Sequence, residues 1–200
     1  GDNVHELPVE AARERQFDCI LFQDDHQWEH DQYTFLTAAQ LEAFLKKVPA
    51  HVVVVLDEAY NEFLSADDQY ESTAWVRQYP NLVVSRTLSK AYGLAGLRIG
   101  FAIAQPALTD LMNRIRQPFN VNSLAQAAAI AALNDKDFLE QSARNNAAGY
   151  QQFIEAFTQL GLEFVPSHGN FVLVKVGDDD EAGARVNLAL LKQGVIVRPV

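Results

Sequence analysis

The stretch HVVVVLDEAY, residues 51–60, decides the fold class of this chain. An unbroken run of aliphatic residues, 52–56, leads directly to the carboxylate of Asp57. A run without polar alternation is typical of a central parallel strand that is covered on both faces. We therefore expect Asp57 at the carboxyl end of a central strand, where open α/β sheets bind ligands. The alternative interpretation of Asp57 is an ordinary turn or capping residue.

Strands and helices alternate on both sides of this run. Short apolar segments at 17–22, 81–86 and 98–104 predict further strands. Helical spacing predicts one helix after Thr37, a good N-cap residue, and another that begins at Pro106. This alternation predicts an α/β fold, a mostly parallel sheet sandwiched by helices, over residues 1–135.

The pattern changes towards the carboxyl end, and we expect a smaller α+β lobe over residues 136–200. An alanine-rich helical pattern runs from Asn122 to about Leu160, and Gly161 ends it. Two short strands around a Pro-Ser-His-Gly turn follow, then a helix that stops at Gly194 and a last strand at 195–200.

Composition excludes several classes of function. The net charge is -10 and the sequence pI about 4.9, so we expect no nucleic-acid partner. No apolar run reaches membrane-spanning length, and the single cysteine cannot form an internal disulfide. We therefore expect a cytoplasmic protein without a membrane partner. No signal peptide is visible either. Because Gly1 is not a start methionine, we also expect a segment of a longer chain.

A second stretch, SRTLSKAYGLAGLRIGF (residues 85–101), carries the candidate chemistry. Thr87, Ser89 and Arg98 supply two hydroxyls and a planar guanidinium, a donor set suited to phosphate. Lys90 lies among small residues, where a desolvated amine becomes a nucleophile towards carbonyls. The alternative for Lys90 is a surface lysine whose stem packs on the protein while its amine stays in water.

These side chains suit a ligand that carries both a phosphate group and a carbonyl group that reacts with a lysine. Pyridoxal 5'-phosphate is the cofactor that this combination indicates. The ring nitrogen of that cofactor needs a carboxylate partner, and Asp57 is the candidate. Tyr60 could bond the phenolic oxygen of the cofactor, although it could equally be an ordinary half-buried tyrosine.

Taken with RQPFNVN at 116–122, the two stretches resemble the fold-type I pyridoxal-phosphate aminotransferases, and most closely the histidinol-phosphate aminotransferase group. The resemblance implies that Lys90 holds the cofactor as an internal aldimine and shuttles the proton, and that Asn170 lies near the substrate. It also implies the assignments given above to Asp57, Tyr60 and the phosphate-binding side chains. Transamination between histidinol phosphate and 2-oxoglutarate, small amino-acid and oxo-acid substrates, and a homodimer of the full-length protein follow from the same resemblance.

The chain departs from the family pattern in one internal segment and at its ends. Residues 23–32 replace an Asn- and Pro-rich turn, and they contain His26 and His30 beside several carboxylates. We favour a solvated loop over a metal site there and predict no metal. A glycine-rich phosphate turn before Gly1 and a substrate-binding arginine after Val200 are expected outside these 200 residues, which alone should not be competent. The alternatives left open are a phospho-amino-acid decarboxylase, an aromatic aminotransferase and a non-catalytic lobe.

Overall fold

The computed structural model describes residues 19–23 and 36–199. A four-stranded sheet lies at the amino-terminal end of the chain, with strands in the order β1-β2-β3-β4. Its strands are β1 (Cys19–Gln23), β2 (Val53–Asp57), β3 (Leu82–Thr87) and β4 (Gly100–Ala104). The first three are parallel and β4 is antiparallel to β3. The predicted mostly parallel sheet is confirmed, with the aliphatic run in a central strand.

Six helices and a short hairpin complete the described residues. The helices are α1 (Ala38–Leu45), α2 (Ser72–Gln78), α3 (Pro106–Ile115), α4 (Ser123–Asn134), α5 (Lys136–Gln159) and α6 (Ala182–Leu191). Two single 3-10 turns span Asn61–Phe63 and Ala95–Leu97. The hairpin strands β5 (Phe164–Val165) and β6 (Leu173–Val174) are antiparallel and flank the predicted Pro-Ser-His-Gly turn. None of the described helices is long and apolar enough to cross a bilayer.

The core lies on one face of the sheet, beneath α1 and α2. The hydroxyl of Thr37 accepts from the Gln40 N–H, while the Gln40 side chain accepts from the Thr37 N–H. This reciprocal cap starts α1 at the predicted residue. Burial alternates along β2, so that Val54 and Leu56 face this core and Asp57 lies on the less buried face. The buried core cluster comprises Leu41, Phe44, Leu45, Val48, Val52, Val54, Leu56, Val76, Leu82 and Val84.

The carboxyl-terminal part differs from the sequence prediction in two places. The alanine-rich pattern forms two helices, because the backbone breaks at Asp135 and its carboxylate accepts from the Phe138 N–H at 3.0 Å to cap α5. The strand predicted at 195–200 is wrong: residues 195–199 form no strand, and Ile196 is 83% exposed. An apolar run becomes a strand only where a neighbouring edge pairs with it, and no described strand does so here.

Other predictions have simpler outcomes. Gly161 (φ +67°) and Gly194 (φ +80°) follow α5 and α6 in the left-handed conformation expected of helix-ending glycines. The predicted lobe boundary coincides with Lys136, the first residue of α5, and the division into two lobes stays a prediction. His26 and His30 lie outside the described residues.

Candidate active site

Asp57 is held at the carboxyl end of β2 by the neighbouring strand. It pairs in register with Ser85 of β3, and the Ser85 hydroxyl donates to Asp57 Oδ1 at 3.1 Å. The backbone N–H of the following residue, Glu58, donates to the Ser85 carbonyl at 2.9 Å. These contacts orient a half-buried carboxylate at the sheet edge where the sequence analysis places the site.

Lys90 and Tyr60 lie together beyond the same edge. The Lys90 amine is 5.3 Å from the centroid of the Tyr60 ring, within reach of a cation–π contact. A hydrogen bond from the Gly93 N–H to the Lys90 carbonyl, at 3.0 Å, closes the turn that carries the lysine. The side chain of Lys90 is exposed among the described residues, which therefore do not supply the desolvation expected from its small neighbours, and that expectation stays a prediction. Small residues permit close packing, but they cannot supply the cover that removes an amine from water.

The predicted phosphate ligands lie at the end of β3 and in the turn that leads to β4. Thr87 is the last residue of β3, and its hydroxyl accepts from the Ser89 N–H at 3.1 Å. The Leu88 N–H donates to the Ile99 carbonyl at 3.1 Å, which brings the backbone next to Arg98 beside this turn. Arg98 adopts the left-handed conformation (φ 52°, ψ 52°), and its exposed guanidinium donates to the Ala95 carbonyl at 3.0 Å.

Asn170 belongs to a segment that packs on Tyr60. The Phe171 ring meets the Tyr60 ring edge to face, with centroids 5.3 Å apart and planes at 72°. Gly169 is buried, and a Cβ built on it would lie 3.3 Å from Tyr60 Cδ1. The Asn146 side chain of α5 fixes this segment by donating to the Gly169 carbonyl at 3.0 Å. Asn170 itself is exposed, and its neighbour Phe171 contacts the tyrosine beside Lys90.

The structure thus brings the predicted residues together in three small groups. Asp57 lies with Ser85, Lys90 with Tyr60, and Thr87 with Ser89 beside the backbone of Arg98. No hydrogen bond or ion pair within the described residues joins one group to another. The roles assigned to these side chains therefore stay predictions.

Sequence reasoning missed the partners that hold these groups in place. Ser85 and the ion pair between Glu58 and Arg86 connect β2 to β3, while Gly169 and Phe171 pack on Tyr60. Ser85 and Arg86 could have been found by aligning the carboxyl ends of the two predicted strands, since both follow the second apolar run directly. The Tyr60 contacts had no comparable local signal.

The charge of Arg86 also acts on two more titratable groups, Glu62 and Tyr92. Burial raises the pKa of Glu62, and the carboxylate of Glu58 adds to this rise, whereas the backbone hydrogen bond of Glu62 and the charge of Arg86 oppose it. Burial likewise raises the pKa of Tyr92, with a smaller contribution from Glu62. The positive charge of Arg86 opposes both of these pKa rises, while its guanidinium pairs with Glu58.

The fold agrees with the comparison with known families. Residues 34–200 match the family model described as aminotransferase class I and II. The chain belongs to this family.

Within the family, the chain is similar to histidinol-phosphate aminotransferases, as predicted. It is 75% identical over 167 residues to histidinol-phosphate aminotransferase 1 of Cupriavidus pinatubonensis, a match that covers 84% of this chain and 44% of the relative. It is 56% identical to the Methylobacillus flagellatus enzyme, again over 84% of the chain and 44% of the relative. The chain thus spans less than half the length of these curated relatives.

Solved structures agree with the fold. The histidinol-phosphate aminotransferase of Sinorhizobium meliloti, in complex with pyridoxal-5'-phosphate, has a TM-score of 0.85 and 30% sequence identity, and the match covers 95% of this chain and 51% of that one. The Clostridium acetobutylicum enzyme matches at a TM-score of 0.80 and 21% identity, over 98% of this chain and 59% of that one, and supports the fold alone.

Proposed function

We propose that this chain forms the cofactor-binding part of a pyridoxal-phosphate-dependent aminotransferase that acts on histidinol phosphate, with 2-oxoglutarate as the amino acceptor, in histidine biosynthesis. The observation that carries the proposal is the position of the Lys90 amine over the Tyr60 ring, beyond the sheet edge at which Asp57 ends the central strand. The identity to histidinol-phosphate aminotransferases supports the choice of substrate.

The donor set of the described residues fits this cofactor. Lys90 forms no ion pair or hydrogen bond through its amine within residues 36–199, so that amine is available to an aldehyde. The geometry of Asp57 supports its proposed role, because the Ser85 hydroxyl already fixes one of its carboxylate oxygens at the end of the central strand. Thr87 and Ser89 offer hydroxyl protons. In the hydrogen bond from the Ser89 N–H, the Thr87 hydroxyl oxygen is only an acceptor, so its proton remains available.

Each side chain then has a stated task. When bound, pyridoxal phosphate would supply an aldehyde and an electron-withdrawing ring. Lys90 would hold the aldehyde carbon until the substrate amine takes its place, and the freed Lys90 amine would then move the proton between the substrate Cα and that carbon. Asp57 would keep the proton on the ring nitrogen, and the Tyr60 hydroxyl would donate to the phenolic oxygen.

The same geometry supports the residues that we assign to the phosphate group of the cofactor and to the substrate. Thr87, Ser89 and Arg98 would bind the phosphate, because the hydroxyls and the remaining guanidinium N–H groups all belong to the end of β3 and the turn that follows it. Asn170 would contact the substrate, since the segment that carries it packs beside Tyr60 and Lys90.

We further propose that the full-length protein works as a cytoplasmic homodimer on small amino-acid and oxo-acid substrates. A pocket between two subunits would cover the exposed Lys90 and exclude water from its reaction. The net charge of -10 argues against a nucleic-acid partner.

A substrate panel on the natural chain that contains this sequence tests the proposal. After loading with pyridoxal phosphate, the chain should transfer an amino group from histidinol phosphate to 2-oxoglutarate faster than from phenylalanine or tyrosine. It should release no carbon dioxide from a phosphorylated amino acid. A chain that binds the cofactor and only decarboxylates would contradict the proposed reaction, and a chain that does not bind the cofactor would contradict the proposed class.

A further inference from the structure

A buried ion pair closes the core side of the sheet next to the candidate site. Glu58 Oε2 accepts from both Arg86 Nε, at 2.9 Å, and Arg86 Nη2, at 2.8 Å. The Glu58 side chain is only 2% exposed, and its Oε1 is buried with no hydrogen-bond partner within the described residues. A buried carboxylate of this kind depends on its one guanidinium partner.

The ion pair lies on the opposite face of the sheet from Asp57 and Thr87, the side chains proposed to bind the cofactor. Side chains alternate along a strand, so Arg86 points away from the face shared by its neighbours Ser85 and Thr87. Glu58 is next to Asp57 in sequence, so by the same alternation it lies on the core face of the sheet with the buried Leu56. Glu58 and Arg86 therefore act on a ligand at Asp57 only through the strands that carry them.

We propose that Glu58 and Arg86 are positioning residues of the cofactor site. Their ion pair fixes the carboxyl ends of β2 and β3 relative to each other, and thereby sets the separation between Asp57 and Thr87. This inference rests on the proposed function, in which Asp57 meets the ring nitrogen and Thr87 meets the phosphate. A rigid ligand needs both contacts at a fixed distance, so slack between the two strand ends would weaken its binding.

The charges around the pair determine how it must be tested. The charge of Arg86 also acts on a second carboxyl group, Glu62, and on Tyr92, and burial raises the pKa of both groups. Removing Arg86 alone would leave Glu58 as an uncompensated buried charge and would destabilise the fold for reasons unrelated to the cofactor. Replacing both partners by apolar side chains of similar length avoids that charge, and such replacements often preserve stability.

The experiment uses the natural chain that contains this sequence and compares two variants with the wild type. The double variant E58M/R86M removes the ion pair, and R86K keeps the charge but loses the planar fork that places two N–H groups on one oxygen. The matched control is E140Q/R144Q, which removes an exposed i,i+4 pair on α5. Three quantities are measured: the dissociation constant of pyridoxal phosphate from its visible absorbance band, the pH midpoint of that band, and thermal unfolding of the cofactor-free chain.

The double variant and R86K should unfold within a few degrees of the wild type but bind the cofactor about tenfold more weakly, as is typical when a residue that orients a ligand-binding side chain is lost. The pH midpoint of the absorbance band should move upward. A more loosely held Asp57 leaves less positive charge on the ring nitrogen, and a nearby positive charge lowers the pKa of a cationic group, here the one that Lys90 forms with the cofactor. The control should change none of these quantities.

Wild-type affinity and an unchanged pH midpoint in either folded variant would overturn the inference while leaving the proposed function intact. If E58M/R86M does not fold, R86K decides alone. A wild-type chain that shows no cofactor band at all would instead overturn the proposed function, and the inference with it.

Discussion

Gly169→Ala should destabilise the protein and loosen Tyr60. A Cβ at this position would lie 2.8 Å from Phe171 Cε1 and 3.3 Å from Tyr60 Cδ1. Carbon atoms in contact prefer about 3.5–4.0 Å, so the Phe171 ring must retreat by roughly 0.7 Å or more. Overpacking of this kind costs about 1–3 kcal/mol. Since Phe171 is half-buried and has some room to move, we expect about 1–2 kcal/mol.

The assay is urea or thermal unfolding of the Gly169→Ala variant. The matched control is Gly149→Ala, measured under the same conditions. Gly149 lies within α5, and a Cβ there meets nothing within 4 Å, so alanine should stabilise the helix by about 0.5–1 kcal/mol. The two substitutions are the same chemical change and should move the stability in opposite directions. In a chain of this size, 1 kcal/mol corresponds to a change in Tm of about 2–4 °C.

The same variant tests the link between this segment and the candidate site. If Gly169 and Phe171 hold Tyr60 in place, Gly169→Ala should also weaken cofactor binding, whereas Gly149→Ala should not. Equal stability of Gly169→Ala and the wild type would refute the close-packing argument. A destabilised variant with wild-type cofactor affinity would refute the link to Tyr60.

Three further substitutions test separate parts of the account. Ser85→Ala removes the donor to Asp57 and should weaken cofactor binding about fivefold, since a hydrogen bond of about 1 kcal/mol is lost; unchanged binding in a cofactor titration would contradict this. Burial raises the pKa of Glu62 above its usual 4.5, so this carboxyl group should contribute less stability as pH rises from about 4 through that raised pKa. Glu62→Gln removes this contribution, so the change in unfolding free energy from pH 4 to pH 7, measured with urea, should favour the folded state more than in the wild type; the same change in both chains would contradict this. Thr37→Ala removes the cap of α1 and should cost about 1 kcal/mol of unfolding free energy; a variant as stable as the wild type would show that the cap is unimportant.

The local parts of this fold could be predicted from sequence because each has a local cause. The aliphatic run before Asp57 indicates a buried strand, Thr37 marks a helix start, and Gly161 and Gly194 mark helix ends. These features depend on residues within one or two turns of chain, so a single sequence contains them.

The parts that were missed depend on contacts between distant residues. Ser85 reaches Asp57 across 28 positions, and the partners of Tyr60 lie in another region of the chain. The last predicted strand was wrong because an apolar pattern does not state which edge will pair with it. The burial of Lys90 likewise stays a prediction, since burial depends on what covers a side chain and not on its neighbours in sequence.

The central claim is that Lys90 is the amine that holds the cofactor, and peptide mapping after chemical reduction tests it most directly. The natural chain is loaded with pyridoxal phosphate, treated with borohydride to make the covalent link permanent, and digested with trypsin. Trypsin does not cut after a modified lysine, so the account predicts that the cofactor appears on the uncut peptide 87–98, between the cleavage sites at Arg86 and Arg98. Cofactor on a different lysine, or a normal cut after Lys90 in a chain that binds the cofactor, would contradict it.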